Sequence, residues 1–315
     1  MSFWIRLLLG SGIILGGILP FDIAPDHPIA LPRIQILDQR HISLKHLDGI
    51  SFKEISDITY FPATRSLMLL SDKGNLYRFE ATFDQRMHLR PRSAYRLHDR
   101  YGKRLRKRLR DSEGLCHDTA GQMFASFEGT PRVAQLSDTG CILHTLQLPA
   151  PLKASQNYHD PNKELEAVAW HPKYGIITAK ERPKKWTKPR RHILYSLQGK
   201  QWSFPAENLP ADGLTAIETM DDGTILALER SFDKHRLIIT ITLKKVVLDT
   251  QGNGLCHTEI LARLSTEDGW ILDNFEGLAR VGPHRYVMIS DDGNNPLEKT
   301  LLIYFEVHDT HVKPN

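Results

Sequence analysis

The chain has 315 residues, of which 41% are hydrophobic and 25% charged, with a formal net charge of +4. This is the balance of a folded globular protein and excludes a disordered or fibrous chain. So small a net charge gives no ground for a specific nucleic-acid partner, and three cysteines cannot build a disulfide framework.

The first segment reads as a targeting signal. Arg6 precedes an apolar run from Leu7 to Leu19, broken only by glycines and Ser11. These are the charged and hydrophobic regions of a secretory leader. Ala24 is the candidate last residue removed, with Asp22 standing where a small residue is expected. Residues 1–24 are therefore expected to be a signal peptide or, if retained, an N-terminal membrane anchor. The run is shorter than the roughly 20 residues of an ordinary spanning helix. The rest of the chain is expected outside the cytoplasm, periplasmic or anchored to the membrane. No Ser/Gly-rich linker interrupts residues 30–315, so they are expected to form one domain.

Five segments then repeat one pattern. They run from Asp57 to Asp72, Glu113 to Glu128, Glu166 to Glu181, Leu214 to Glu229 and Glu276 to Asp291. In each the first and last positions are fifteen apart, with two apolar runs around a central turn. The turns are Pro62–Ser66, Asp118–Gly121, His171–Gly175, Asp221–Gly223 and Gly282–His284, rich in residues that reverse the backbone. The flanking runs, such as Thr224-Ile-Leu-Ala-Leu and Tyr286-Val-Met-Ile, are β-branched and short, so each repeat is a β-hairpin.

A third strand follows each hairpin, at Leu76, Arg132, Ile193, Leu237 and Leu301, and fourth strands fit Ser93–Leu97, Leu143–Leu148 and Thr258–Leu264. Repeat starts lie 48 to 62 residues apart, the length of a four-stranded propeller blade with its loops. The expected fold is an all-β propeller. Five blades are read directly, and a sixth could draw on Ile34–Leu37 and His41–Leu44. Residues 33–47 would otherwise complete the last blade, so that the N-terminal strand closes the ring.

Blades around one axis share an orientation, so the acids opening and closing each hairpin are expected to gather on one face. The gathered set is Asp57, Asp72, Glu113, Glu128, Glu166, Glu181, Glu229, Glu276 and Asp291, with Asp292 adjacent and Leu214 in the one slot without an acid. Converging carboxylates repel one another unless a cation or basic side chains lie among them. Ca²⁺ suits such a donor set. Asp57, Asp72, Glu128, Glu229, Asp291 and Asp292 are the candidate metal ligands. Glu113, Glu166, Glu181 and Glu276 are the candidate catalytic acids. Lys73, Lys180, Arg182 and Arg230, each one position from an acid, are the candidate contacts to a small anionic or ester substrate.

Two basic stretches stand apart. Arg86–Arg110 is dense in Arg and Lys with only Asp99 against them, a solvated loop or an anion-attracting or membrane-surface patch. Lys180–Arg191 carries a second cluster around Trp186, suited to an anion such as phosphate. Cys116, Cys141 and Cys256 fall in or beside strands, where a thiol is an ordinary small buried residue. No Gly-x-Ser-x-Gly, His-Glu-x-x-His or phosphate-cradling glycine loop occurs.

The motifs Ser56-Asp57-Ile, Ser112-Glu113-Gly-Leu, Glu164-Leu-Glu166-Ala-Val, Gly213-Leu-Thr-Ala-Ile and Phe275-Glu276-Gly-Leu-Ala follow one another at propeller spacing. In this order they resemble the phytase-like family of exported bacterial proteins, "esterase-like activity of phytase". The resemblance runs from about residue 50 to 307 and implies a propeller outside the cytoplasm acting on phosphate or other esters. The alternative is a non-enzymatic propeller that binds a ligand or an envelope partner through the same face. The chain is expected to work as a monomer, touching membrane only through its N-terminal segment.

Overall fold

A computed structural model describes residues 17–153, 158, 165–183, 189–293, 295 and 298–308. The leader expected over residues 1–24 lies outside the described residues up to position 16, as do Lys184, Lys185, Trp186 and Lys188. Among the described residues no helix is long and apolar enough to cross a membrane.

Five antiparallel sheets make a five-bladed β-propeller. Blade 1 holds strands Ile55–Phe61, Ser66–Ser71, Asn75–Phe83 and Met87–Arg96; blade 2 holds Ser112–His117, Met123–Phe127, Arg132–Leu136 and Ile142–Leu146. Blade 3 holds Leu165–His171, Gly175–Lys180, Arg191–Ser196 and Gln201–Pro205, the last of which the sequence pattern had not singled out. Blade 4 holds Gly213–Thr219, Ile225–Asp233, Ile238–Val247 and His257–Ser265. Blade 5 is built from Asn274–Gly282, Arg285–Asp291 and Leu301–Val307, and its fourth strand is Ile34–Ile42 from the other end of the chain. Ile34 pairs with Val307 and His41 with Leu301. The N-terminal strand thus closes the ring, and the stretch that could have started a sixth blade completes the fifth. Ile18–Pro20 adds a short edge strand beyond it.

The hairpins form where the turn chemistry asked for them. Each first turn passes through a left-handed residue: Arg65, Gly121, Gly175, Gly223 and His284. Glycine adopts that conformation without a Cβ clash, whereas Arg65 and His284 take it at some cost.

No blade can bury both of its faces alone, and the core consists of five clusters, each shared by two neighbours. Phe275, Tyr286 and Phe305 meet Leu228 and Leu264 between blades 5 and 4. Tyr77, Phe79 and Tyr304 fill the seam between blades 1 and 5. Full burial of one such side chain is worth about 1.5–3 kcal/mol, so the seams hold the ring together. The closing seam is also tied by hydrogen bonds, because the Tyr304 hydroxyl donates to the Asp84 carbonyl at 3.0 Å. The three cysteines are free thiols.

Candidate functional site: a carboxylate ring and its cationic cleft

Every innermost strand carries a β-bulge near its first residues. In blade 1 the register skips Ser56, in blade 4 Thr215 and in blade 5 Glu276. In blades 2 and 3 it skips the pairs Glu113–Gly114 and Glu166–Ala167. A bulge leaves a residue unpaired and re-aims its side chain, and bulges cluster beside active sites. Because the bulge sits at the same end of all five strands, its side chains share one mouth of the ring.

The register corrects the fifteen-residue frame in two blades. Glu113, Glu166 and Glu276 are bulge residues, and their counterparts are Ser56 in blade 1 and Thr215 in blade 4, not Asp57 and Leu214. The position one past the partner of the residue before each bulge holds Asp72, Glu128, Glu181, Arg230 and Asp291. Blade 4 therefore brings an arginine where the others bring acids. The bulge also means that the acids of one hairpin are not directly opposed; Asp57, for example, faces Leu70.

The two hydroxyl counterparts stitch blades together. Ser56 Oγ donates to the Ser112 carbonyl at 2.7 Å, and Thr215 Oγ1 donates to the Phe275 carbonyl at 3.1 Å. Close approach of the innermost strands also needs small residues after the bulge. A Cβ at Gly114 would lie 2.6 Å from the Glu166 carbonyl oxygen, and one at Gly277 would lie 2.8 Å from Asp57 Cα. That is the physical meaning of the two Glu-Gly-Leu motifs.

The tightest convergence lies between blades 2 and 3. Carboxylate oxygens of Glu128, Glu166 and Glu181, all buried, lie within 4.8 Å of one another. Ca²⁺ binds oxygens at about 2.3–2.6 Å, so donors this far apart can share one ion. Burial pushes the Glu113 carboxyl well up, and the charges of Glu166, Glu128, Glu276 and Asp72 push it further. Asp291 is raised to about 8, by burial first and then by Glu276, against the pull of the Gly293 amide. Asp72 is raised to about 6 by burial despite a hydrogen bond from Lys73. The donor chemistry fits a hard divalent cation.

The basic residues divide. Lys73 Nζ pairs with Glu54 at 2.6 Å and Asp72 at 2.8 Å, neutralising the blade 1 side of the ring. Arg182 Nε lies 3.3 Å from Glu181 Oε1, and an Arg182 amino group donates to the Ala211 carbonyl at 3.1 Å. Lys180 lies over two aromatic rings, its Nζ 4.8 Å from the Tyr158 ring centre and 5.6 Å from that of Tyr195. Lys180, Arg182, Arg191, His192 and Tyr195 line a cleft of about 600 Å³ beside blade 3. Arg182 thus borders both the ring and the cleft. Arg191 closes the basic stretch Lys180–Arg191 that the sequence marks for an anion, whereas His192 beside it carries no motif, since its strand alternates like any other.

Two acids expected among the metal ligands stand outside the ring. Asp57 occupies the slot of Gly114 and Gly277, and its carboxylate reaches into the strand seams. It accepts from the amides of Leu115 at 2.6 Å, Ile58 at 2.8 Å and Leu278 at 3.0 Å. Burial raises its pKa against these three amides, and the group locks blades 2, 1 and 5 together. Glu229 sits one residue before the ring position. It pairs with Lys244 at 2.7 Å and His192 at 3.4 Å, and accepts from the Glu207 amide at 3.0 Å. Asp292 accepts from the Glu54 amide at 2.9 Å, tying blade 5 to blade 1.

The opposite mouth of the ring is a cavity of about 680 Å³ to which all five innermost strands contribute, through residues such as Thr59, His117, Trp170, Glu218 and Arg280. Its acids are capped. Glu218 accepts from the Thr219 and Arg280 amides at 2.7 and 3.1 Å, and Asp221 pairs with Arg280 at 2.8 Å. His117 meets Thr59 Oγ1 at 2.8 Å, whereas His171 braces a turn by hydrogen bonds to Lys173 and Gly223.

Comparison with curated proteins yields no match. Among solved structures, the chain is similar to a putative gluconolactonase at 10% identity, covering 88% of this chain and 93% of that one, TM-score 0.46. It is similar to the PQQ-bound aldose sugar dehydrogenase of Streptomyces coelicolor at 10% identity, covering 87% and 98%, TM-score 0.43. It is also similar to virginiamycin B lyase of Staphylococcus aureus at 10% identity, covering 87% and 94%, TM-score 0.40. A family model described as phytase-like, esterase-like activity of phytase, matches residues 50–294, from just before the first blade to the end of the last bulged hairpin. The chain belongs to the phytase-like family.

Proposed function

We propose that the protein is an exported hydrolase of phosphate or other esters, with Ca²⁺ held by Glu128, Glu166 and Glu181 and the substrate's anionic part received in the adjoining cleft. The observation that carries this reading is the meeting of three buried carboxylates within 4.8 Å beside a cleft lined by Lys180, Arg182 and Arg191. The bound ion would supply Lewis acidity toward the ester oxygen and toward an attacking water.

The chain's own groups do the rest. Burial and its acidic neighbours hold the Glu113 carboxyl well up, which favours its protonated form. It is therefore the donor to the departing alkoxide oxygen, and the attacking water gives up the proton that restores it. Glu276 and Asp72 sustain that high affinity for protons by their charge. Arg182 balances Glu181 and, with Lys180 and Arg191, faces the charge that grows on the substrate. Arg230, the cation of the blade 4 slot, limits the ring's repulsion on the far side.

The test is a panel of phosphate monoesters and carboxylic esters, assayed with Ca²⁺ and with chelator, on the protein and on Glu166→Gln. Turnover should need Ca²⁺ and fall by about 10²–10³-fold in the variant, the usual cost of losing one key electrostatic group. Activity indifferent to chelator and substitution would overturn the mechanism. A Ca²⁺-induced rise in melting temperature without any turnover would favour the ligand-binding reading of the same face.

A further inference from the structure

Between blades 1 and 2 the chain makes a loop from Leu97 to Asp111 whose charge the proposed function does not use. Arg100, Lys103, Arg104, Arg106, Lys107 and Arg108 are exposed along it. Elsewhere on the surface, cations such as Arg92 and Arg236 sit against Glu80 and Glu267. Among the described residues, none of the six loop cations has a carboxylate within ion-pair distance. Asp99, the acid in their midst, is spent on the loop itself, accepting from the Tyr101 and Lys103 amides at 2.9 Å each. Two large apolar side chains also stand in solvent there, Tyr101 at 79% and Leu109 at 38% exposure.

The loop is built to hold this shape. Leu97 is buried in the seam of blades 1 and 2, and Leu105 packs against the same cluster. The Leu97 amide donates to the Gly74 carbonyl at 2.9 Å, the His98 amide to Gly140 at 3.0 Å and the Leu105 amide to Leu97 at 3.2 Å. Arg132 reaches across to the Leu109 carbonyl. Gly74 and Gly129 make room for the returning chain, since a Cβ at Gly74 would lie 2.6 Å from Arg110 Cβ. Both glycines follow second strands, at the end of the blades that carries the carboxylate ring.

The chain enters the fold from that same end. The Ser43 amide donates to the Gly17 carbonyl at 2.8 Å, and the Ile42 amide to the Thr300 carbonyl at 2.9 Å, in the connection that follows Asp291. Gly17 and the strand Ile18–Pro20 therefore enter the propeller beside the face on which the basic loop ends.

We infer that the Leu97–Asp111 loop is a docking surface for an anionic lipid bilayer, with its cations on the headgroups and Tyr101 and Leu109 at the level of the acyl boundary. Cations near an anionic surface attract it additively, and amphipathic aromatic side chains favour the interface. Exposed apolar residues among cations distinguish this surface from a purely electrostatic site for a soluble polyanion. The inference is independent of ester hydrolysis, because no residue of the loop belongs to the ring or the cleft.

The test uses the full chain and two variants on vesicles of phosphatidylcholine alone or mixed with phosphatidylglycerol. Tyr101→Trp places a reporter in the loop, and its quenching is read as the difference from the unchanged chain, which carries Trp4 in the N-terminal segment. Brominated acyl chains should quench the added tryptophan on phosphatidylglycerol vesicles and not on phosphatidylcholine, and salt should release it. Adding Arg104→Glu, Lys107→Glu and Arg108→Glu should weaken this contact on the order of 100-fold or more, with the melting temperature unchanged. Arg236→Ala should leave it as it was. No quenching, equal quenching on both vesicles, or indifference to the charge reversal would overturn the inference. So would retention on a soluble polyanion such as heparin without any vesicle contact.

Discussion

Blade 3 has charged clusters on both flanks, and they are built on opposite principles. Toward blade 2, Glu113, Glu128, Glu166 and Glu181 crowd together, with Arg182 the cation in contact with Glu181. Toward blade 4, Glu229 and Glu207 share Lys244 at 2.7 Å each, and His192 stands 3.4 Å from Glu229. Lys244 also donates to the Pro205 carbonyl at 3.0 Å. In the second cluster, burial pushes Glu229 up, but hydrogen bonds and charge from His192 and Lys244 outweigh it and hold the carboxyl below its ordinary range. In the first, burial and like charge act in the same direction. A carboxylate cluster whose proton affinity its cations pull down belongs to the fold, whereas one in which burial and like charge raise a carboxyl together suits an ion from outside.

The largest expected effect breaks the self-sufficient cluster. Lys244→Ala leaves Glu229 and Glu207 buried without their ammonium and should cost about 3–5 kcal/mol, read by chemical denaturation. A loss under about 1 kcal/mol would mean that the two acids are as ill-matched as those of the ring.

The pH dependence should separate the clusters by sign. Asp72, Asp291 and Glu113 have folded pKa values raised above the unfolded ones, Asp72 to about 6 and Asp291 to about 8. Their contribution is complete below the unfolded pKa, and it is lost as pH rises through those folded values. Without Ca²⁺, the melting temperature should therefore fall as pH climbs from about 5 to 8, and added Ca²⁺ should flatten that fall. Glu229, held down by its partners, contributes above its unfolded pKa and loses that contribution as pH drops through its lower folded value. The acid limb should thus shrink in Lys244→Ala, with the share owed to His192 remaining, while the alkaline limb persists.

The smallest expected effect has the reverse sign. Glu113→Gln removes one buried ionisable carboxyl from the crowded arc and should stabilise the ion-free protein by about 0.5–2 kcal/mol while lowering activity. Destabilisation in thermal melts would show that Glu113 is held by the fold, as Asp57 is.

The architecture was legible in the sequence because turn residues and alternating runs are local signals. The hairpins at Asp118–Gly121 and Asp221–Gly223 needed nothing beyond their own residues, and residues 33–47 could be read as the strand that completes the C-terminal blade because a propeller has to close its ring. Gln201–Pro205 was not legible, since a short outer strand is fixed by its pairing with Arg191–Ser196. The ring was legible in part. Glu113, Glu128, Glu166, Glu181, Glu276 and Asp291 could be placed by spacing, yet Asp57 and Glu229 have the same spacing to a neighbour in the pattern and serve the fold. The signal that separates them is the residue beside each: Ser56 and Thr215 take the bulge, and a hydroxyl there hydrogen-bonds to the next blade.

The sequence by itself determined the strands, their order and the end of each hairpin at which acids would stand, since these depend on neighbours a few residues away. Which acids meet was decided by tertiary structure. A one-residue bulge turns a side chain from one face of its strand to another, and only the packing of five strands around an axis settles where that bulge falls. The same packing gave Glu229 a lysine from a strand beyond its hairpin and brought three glutamates from two blades within 4.8 Å.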